Sequence, residues 1–128
     1  MNPRLSMEPE NTRKYTALLK ALAHSTRLQI VMELLKGTKC VTDIQEILPA
    51  SQANISQHLT VLRHAGLVDF AQDGAQRCYY VSRPRFVSAV VALLAEGEPA
   101  VRKTREEINL QTQSTGIACR AKNKESTT

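Results

Sequence analysis

Two strand-like runs, Leu67-Val-Asp-Phe-Ala-Gln72 and Gln76-Arg-Cys-Tyr-Tyr-Val-Ser82, flank Asp73-Gly74. Asp-Gly is among the strongest short hairpin signals, because the tight turns that match the twist of paired strands need positive φ. The run before the hairpin, Ser51 to Gly66, reads as a helix with two unlike faces. Ile55, Leu59 and Leu62 recur at i, i+4 and i+7, which makes one apolar stripe. Gln52, Asn54, Ser56, Gln57 and Thr60 fall largely on other faces and are polar but uncharged. Ser51 is placed to cap the helix and Gly66 to end it. A solvated helix face usually carries Lys and Glu, whereas short amides and hydroxyls are the groups that read base edges in a major groove.

The segments before this helix complete an arrangement. Tyr15, Leu18, Leu19 and Leu22 predict one helix, and Leu28, Val31, Met32 and Leu35 a second, with a break at His24-Ser25 and a stop at Gly37. Thr42 and Gln45 have the spacing of a capping box for a short helix over about 42–48 bearing Ile44, Ile47 and Leu48. Pro49-Ala50-Ser51 is then a tight turn into the helix over about 51–65. Helix, short turn and helix followed by a hairpin predicts a winged helix-turn-helix, mainly α with a small β-hairpin.

After Pro84, the residues Phe86, Val87, Val90, Val91, Leu93 and Leu94 spread apolar character around much of a helix rather than along one stripe. Such a helix needs cover on two sides. The domain's own core supplies one, and the simplest second cover is another copy of the same helix, which predicts a twofold homodimer through the N- and C-terminal helices. The expected boundaries are a flexible arm over 1–9, a DNA-binding and dimerisation domain over 10–111, and a disordered tail over 112–128 rich in Ser, Thr, Gln and Lys.

Charge and composition agree with that outline. The chain of 128 residues carries a net charge of +5, compatible with a polyanionic partner. Aromatic residues are only 4%, with no Trp, so stacking platforms for single-stranded bases are scarce and the duplex is the expected nucleic acid. No run approaches the roughly 20 apolar residues of a membrane span. The first ten residues hold no apolar signal core, so the expected location is cytoplasmic. No triad in motif context, no Gly-rich phosphate loop and no clustered carboxylate pair argues for an enzyme.

Residues from about Leu18 to Val81 resemble the ArsR/SmtB family of bacterial winged-helix repressors. The resemblance is carried in order by Leu22-Ala-His-Ser-Thr-Arg-Leu-Gln-Ile-Val31, Cys40-Val-Thr-Asp-Ile44, Ser51-Gln-Ala-Asn-Ile-Ser-Gln-His-Leu59, Leu62-Arg-His-Ala-Gly-Leu-Val68 and Tyr79-Tyr80. It implies a homodimer with one recognition helix per subunit in adjacent major grooves, half-sites about one helical turn apart, and release from the operator when an inducer binds. It implies base-edge or phosphate contacts from Ser51, Gln52, Asn54, Ser56 and Gln57, and a wing contact from Arg77 beside the turn, with Thr60 a further candidate from the polar face of the same helix. His58 either joins them or packs at the border of the apolar stripe. Arg27, Arg63 and Lys36 are either phosphate contacts or solvated charges, and His24 and His64 fit packing or helix ends better than DNA or metal.

The inducer is where the sequence departs from its relatives. The arsenic- and cadmium-sensing branches carry Cys-x-Cys near the start of the third helix, and here the segment is Cys40-Val41-Thr42. The zinc-sensing branch uses Asp and His on the C-terminal helix, and residues 84–97 hold neither. A persulfide- and oxidant-sensing branch pairs thiols of the second and C-terminal helices, which contain no cysteine here. Cys40, Cys78 and Cys119 remain. Winged helices often pair the segment before the third helix with the second wing strand, so Cys40 and Cys78 are expected neighbours within reach of Cys119. Three thiolates would suit As(III) or another thiophilic metal ion, and two a redox or persulfide pair. The competing reading is that the cysteines are small buried hydrophobes. Two alternatives to an inducible repressor stand beside it: a winged-helix protein-interaction module without sequence-specific DNA binding, and a family repressor that has lost metal sensing.

Overall fold

The computed structural model describes residues 8–115. Most of the predicted arm and tail, and Cys119 with them, lie outside the described residues. The helices are α1 (Pro9–Leu22), α2 (Ser25–Lys36), α3 (Val41–Ile47), α4 (Gln52–His64), α5 (Pro84–Glu96) and α6 (Arg105–Thr115), and the strands are β1 (Lys39–Cys40), β2 (Val68–Asp73) and β3 (Gln76–Val81). They divide into two compact units at Glu96 and Gly97. No helix among the described residues is long and apolar enough to cross a membrane.

The first unit is built on the apolar stripes expected of its helices. Ile30 and Val31 of α2, Ile44 of α3, Ile55, Leu59 and Leu62 of α4, Leu67 and Val68 at the start of the hairpin, and Val87 of α5 are fully buried in one cluster. Burying each such side chain is worth about 1.5–3 kcal/mol, so this cluster fixes where α4 sits and which of its faces looks outward. His24 breaks the chain between α1 and α2 for a local reason: its Nδ1 accepts the Thr26 N–H at 3.1 Å and caps α2. α1 begins at Pro9, within the predicted arm, because a proline at the first helical position gives up no helical hydrogen bond.

Two local expectations are corrected. α3 does not start on a Thr42–Gln45 box: Cys40 is its N-cap, and Asp43 reaches back to accept the Cys40 N–H at 3.0 Å. An ionised carboxylate in the first turn also suits the helix dipole, which an amide at Gln45 would not. The hairpin turn is also one residue later than Asp73-Gly74 suggests. Asp73 pairs with Gln76, which leaves Gly74 and Ala75 as the turn. Gly74 has φ +62° and, among the described residues, no non-glycine residue has positive φ, the sign pattern of a type II′ turn, in which only the first central residue needs a glycine.

The wing gains a third strand. The sheet order is β1-β3-β2, with Cys40 opposite Cys78 and Phe70 opposite Tyr79. α4 ends where Gly66, at φ +80°, donates its N–H to Arg63 at 2.9 Å while Leu67 donates to Leu62 at 3.0 Å. This is a Schellman stop, and it drops Leu67 into the core. The Gly66 carbonyl then accepts from Ser82 Oγ at 2.9 Å and from Arg83 Nε at 3.1 Å, which ties the end of α4 to the far end of the hairpin.

α5 buries Val87 and half-buries Phe86, Val90 and Val91, but leaves Leu93 66% and Leu94 63% exposed. In the second unit, α6 is capped by Thr104, whose Oγ1 accepts the Glu107 N–H at 3.2 Å. α6 takes in residues 112–115, which the composition assigns to the tail. There the Thr112 hydroxyl donates to the Ile108 carbonyl at 2.9 Å, a back-bond that lets a hydroxyl residue remain helical.

Candidate nucleic-acid interface

Ile55, Leu59 and Leu62 are turned inward and wholly buried, so the rest of α4 is presented outward. Ser51, Gln52, Asn54, Gln57 and Thr60 are exposed, and Ser56 and His58 half-buried. The Ser51 hydroxyl accepts the Asn54 N–H at 3.2 Å, so its cap role is filled while its own hydrogen stays available. Thr60 donates its hydroxyl to the Ser56 carbonyl at 2.9 Å, which leaves its oxygen only as an acceptor. The amides of Gln52, Asn54 and Gln57 have no hydrogen-bond partner among the described residues. Each offers both donors and an acceptor to whatever docks on this face, which is the pattern that pairs bidentately with adenine.

His58 sits elsewhere, at the contact between α4 and α2. Its Nδ1 lies 3.2 Å from Arg27 Nη1, and its ring is 4.5 Å from that of His24. Burial first, then the nearby His24 and Arg27, lowers its pKa below 6.5. Arg27 is equally occupied: its Nε donates to the Ala21 carbonyl at 2.6 Å, at the C-terminal end of α1. Its guanidinium therefore joins α1, α2 and α4. Lys36 pairs with Glu33 at 3.0 Å, and Arg63 with Asp69 at 3.1 Å. The Phe70 N–H, and after it Arg63, hold the Asp69 carboxyl below its ordinary pKa.

The wing is brought to the helix. Gln52 of α4, Val41 and Thr42 of α3, and Gln72, Ala75, Gln76 and Arg77 of the hairpin line one cleft of about 410 Å³. Gln52 and Arg77 thus face a common space. The Arg77 guanidinium lies 4.5 Å from the centre of the Phe70 ring, and that of Arg63 lies 4.6 Å from it. The ring steadies both cations, each contact being worth about 0.5–1 kcal/mol at exposed sites. The roles of Phe70 and Thr42 went unnoticed in the sequence. The signal for Phe70 was its register: Arg77 is diagonal to it on one face of the ladder, within reach of a long side chain.

Cys40 and Cys78 are brought together, with their sulfurs 2.7 Å apart. Among the described residues, no group of three His, Cys, Asp or Glu side chains is placed to hold a metal ion.

Comparison with known proteins agrees with this architecture. The family described as "Bacterial regulatory protein, arsR family" matches residues 24–69. The transcriptional activator HlyU of Vibrio cholerae is 39% identical over 85 residues, covering 66% of this chain and 78% of that protein. A solved structure of HlyU from Vibrio cholerae superposes with a TM-score of 0.63 at 32% identity, over 67% of this chain and 97% of the other. The biofilm growth-associated repressor of Agrobacterium fabrum is 34% identical over 93 residues, 73% of this chain and 79% of the relative. A homodimeric winged helix-turn-helix DNA-binding domain from Mycobacterium bovis shares the fold, with a TM-score of 0.66 at 24% identity over 75% and 92%.

Proposed function

Because the chain belongs to the ArsR family of bacterial regulatory proteins, and so is a transcriptional regulator and not an enzyme, we propose that it represses transcription as a dimer bound to a specific operator in double-stranded DNA. The observation that carries this reading is the outer face of α4, where three exposed amides have no partner among the described residues and one of them, Gln52, shares a cleft with Arg77. Gln52, Asn54, Ser56 and Gln57 would read base edges, with Ser51 and Thr60 beside them on the helix. Arg77 would hold the backbone or minor groove, and phosphate contacts would supply most of the affinity and its salt dependence. His58 supports the surface from behind, through Arg27. Such a regulator works in the cytoplasm.

Relatives of this chain are named both activator and repressor. Repression is the reading that needs no further surface, since a dimer spanning two successive major grooves excludes other proteins from the DNA it covers. We assign release to a thiol-reactive inducer, such as As(III), a soft metal or a sulfur or oxidant species, because Cys40 and Cys78 meet at the root of the wing.

The test is a titration of reduced protein against fragments from upstream of its own gene, at several salt concentrations. The reading expects one preferred fragment and a log-log salt slope that is clearly negative. Gln57→Ala should weaken the preferred complex by about 1–3 kcal/mol with unfolding unchanged. An unaltered fragment preference in that variant removes α4 as the reader. Failure of every fragment to bind leaves the protein-interaction module.

A further inference from the structure

Cys40 closes β1, and Cys78 lies directly opposite it on β3 in an antiparallel ladder. Residues so paired share a face of the sheet and hold their Cα atoms about 4.5 or 5.5 Å apart. Both spacings fall inside the roughly 4.4–6.8 Å that a disulfide spans. The sulfurs, at 2.7 Å, need to close by only about 0.7 Å to bond. Both residues are half-buried, so each keeps some surface open to solvent.

Resting on the reading of this chain as a DNA-binding regulator, we propose that a hydroperoxide closes a reversible cross-strand disulfide between Cys40 and Cys78, and that the closed form releases DNA. The hydrogen bond shared with Cys78, then desolvation, push the Cys40 thiol up to about 11, so it keeps its proton near neutrality. One of the two sulfurs, as its thiolate, attacks the terminal oxygen of the peroxide; the O–O bond breaks, that cysteine becomes a sulfenic acid, and the leaving oxygen takes a proton and departs as water or alcohol. The other sulfur then attacks the sulfenic sulfur, the S–O bond breaks, and its proton leaves with the hydroxide as water. Two thiols lose two electrons and two protons in all, and the peroxide is reduced by the same two electrons.

The position of the pair connects this chemistry to the interface. Val41 and Thr42 follow Cys40, Arg77 precedes Cys78, and all three line the cleft that Gln52 shares. Cys40 is also the N-cap of α3, held through its N–H by Asp43. Drawing the sulfurs together moves the first turn of α3 against the wing and shifts Arg77 relative to Gln52. With no third ligand converging on the pair among the described residues, oxidation fits the site better than a soft metal ion.

The test uses the full-length Cys119→Ser protein, so that only this pair can react, with Cys40→Ser and Cys78→Ser added singly. Reduced protein is treated with hydrogen peroxide, its peptides are mapped without reductant, and its affinity for the preferred DNA fragment is measured before and after. The expected result is a linked Cys40–Cys78 peptide, affinity lower by about tenfold, and recovery with dithiothreitol. Each single-cysteine variant should bind like the reduced parent and ignore peroxide. Thiols that pass to sulfinic acid without linking overturn the proposal, as does a link that leaves affinity within about twofold. Release by arsenite and not by peroxide overturns it in favour of a dithiol metal site. A reduced protein that binds no DNA fails the functional reading instead, and the disulfide is then judged by the peptide map alone.

Discussion

Arg27 Nη1 lies 3.2 Å from Nδ1 of His58, a residue 31 positions away on another helix. A guanidinium has only donors, so the Nδ1 of His58 must accept, and the ring is neutral with its proton on Nε2. The same guanidinium donates from Nε to Ala21 and from Nη2 to Lys20, at 2.6 and 3.5 Å, at the end of α1. One side chain thus satisfies the Ala21 carbonyl at the end of α1, shares the Lys20 carbonyl with the Ala23 N–H, and ties α1 to α4 through His58.

Arg27→Ala should lower the unfolding free energy by about 1–3 kcal/mol, because it removes three hydrogen bonds and leaves the His58 acceptor half-buried. Arg27→Lys should recover only part of this, since an ammonium lacks the planar fork that reaches two helices at once. Urea unfolding of the three proteins decides it. Full recovery by lysine would mean that the charge matters and the geometry does not.

The lowered pKa of His58 predicts a stability that depends on pH in one direction. The unfolded chain takes up a proton near 6.5, whereas the folded chain resists it until the pH is lower. Protonation therefore favours unfolding: the contribution of His58 is complete above 6.5 and is lost as the pH falls through the folded value. Unfolding midpoints of the wild type and His58→Gln, compared from about pH 8 to about pH 5, should converge on acidification. Parallel curves would place the pH dependence on other groups.

The elements that were legible in the sequence are those with a periodic apolar stripe. Ile55, Leu59 and Leu62 predicted both the existence of α4 and its buried face, and all three are fully buried. The meeting of Cys40 and Cys78 was legible through topology, because winged helices often close the sheet with the segment before the third helix. The Arg27–His58 contact was not, since nothing in either local pattern encodes a bond across 31 residues. Arg27 looked like a solvated or phosphate-binding charge because a cation's partners are set by packing rather than by periodicity. The α3 start and the hairpin turn were each misplaced by a residue or so, where several polar or small residues compete for one cap or one turn position.

Gly66→Ala isolates the stop of α4. The backbone there has φ +80°, and an added Cβ would meet the Arg83 guanidinium no closer than 3.7 Å, an ordinary contact. The cost is therefore conformational, about 1–2 kcal/mol for an L-residue in the left-handed region. Gly66→Asn should cost less, because asparagine tolerates that region. Equal stability of the alanine variant and the wild type would show that the chain leaves α4 by another route.

Leu93 and Leu94 test the proposed dimer. They lie in the last turns of α5 and remain 66% and 63% exposed, Leu94 continuing the helical stripe of the fully buried Val87 seven residues earlier. Val90 and Val91, half-buried on the same stripe, connect Val87 to Leu94. Covering a leucine fully is worth about 1.5–3 kcal/mol, and a twofold contact counts each residue twice, so this surface favours the proposed self-association. Leu94→Glu would set a carboxylate, and its copy on the partner, into the proposed twofold contact. It should yield a monomer by sedimentation equilibrium, with helix content by circular dichroism unchanged because Leu94 is exposed and the buried Val87 is untouched. Affinity for the preferred fragment should fall with it, since two half-sites then bind independently. A Leu94→Glu protein that still sediments as a dimer would place the interface on another surface.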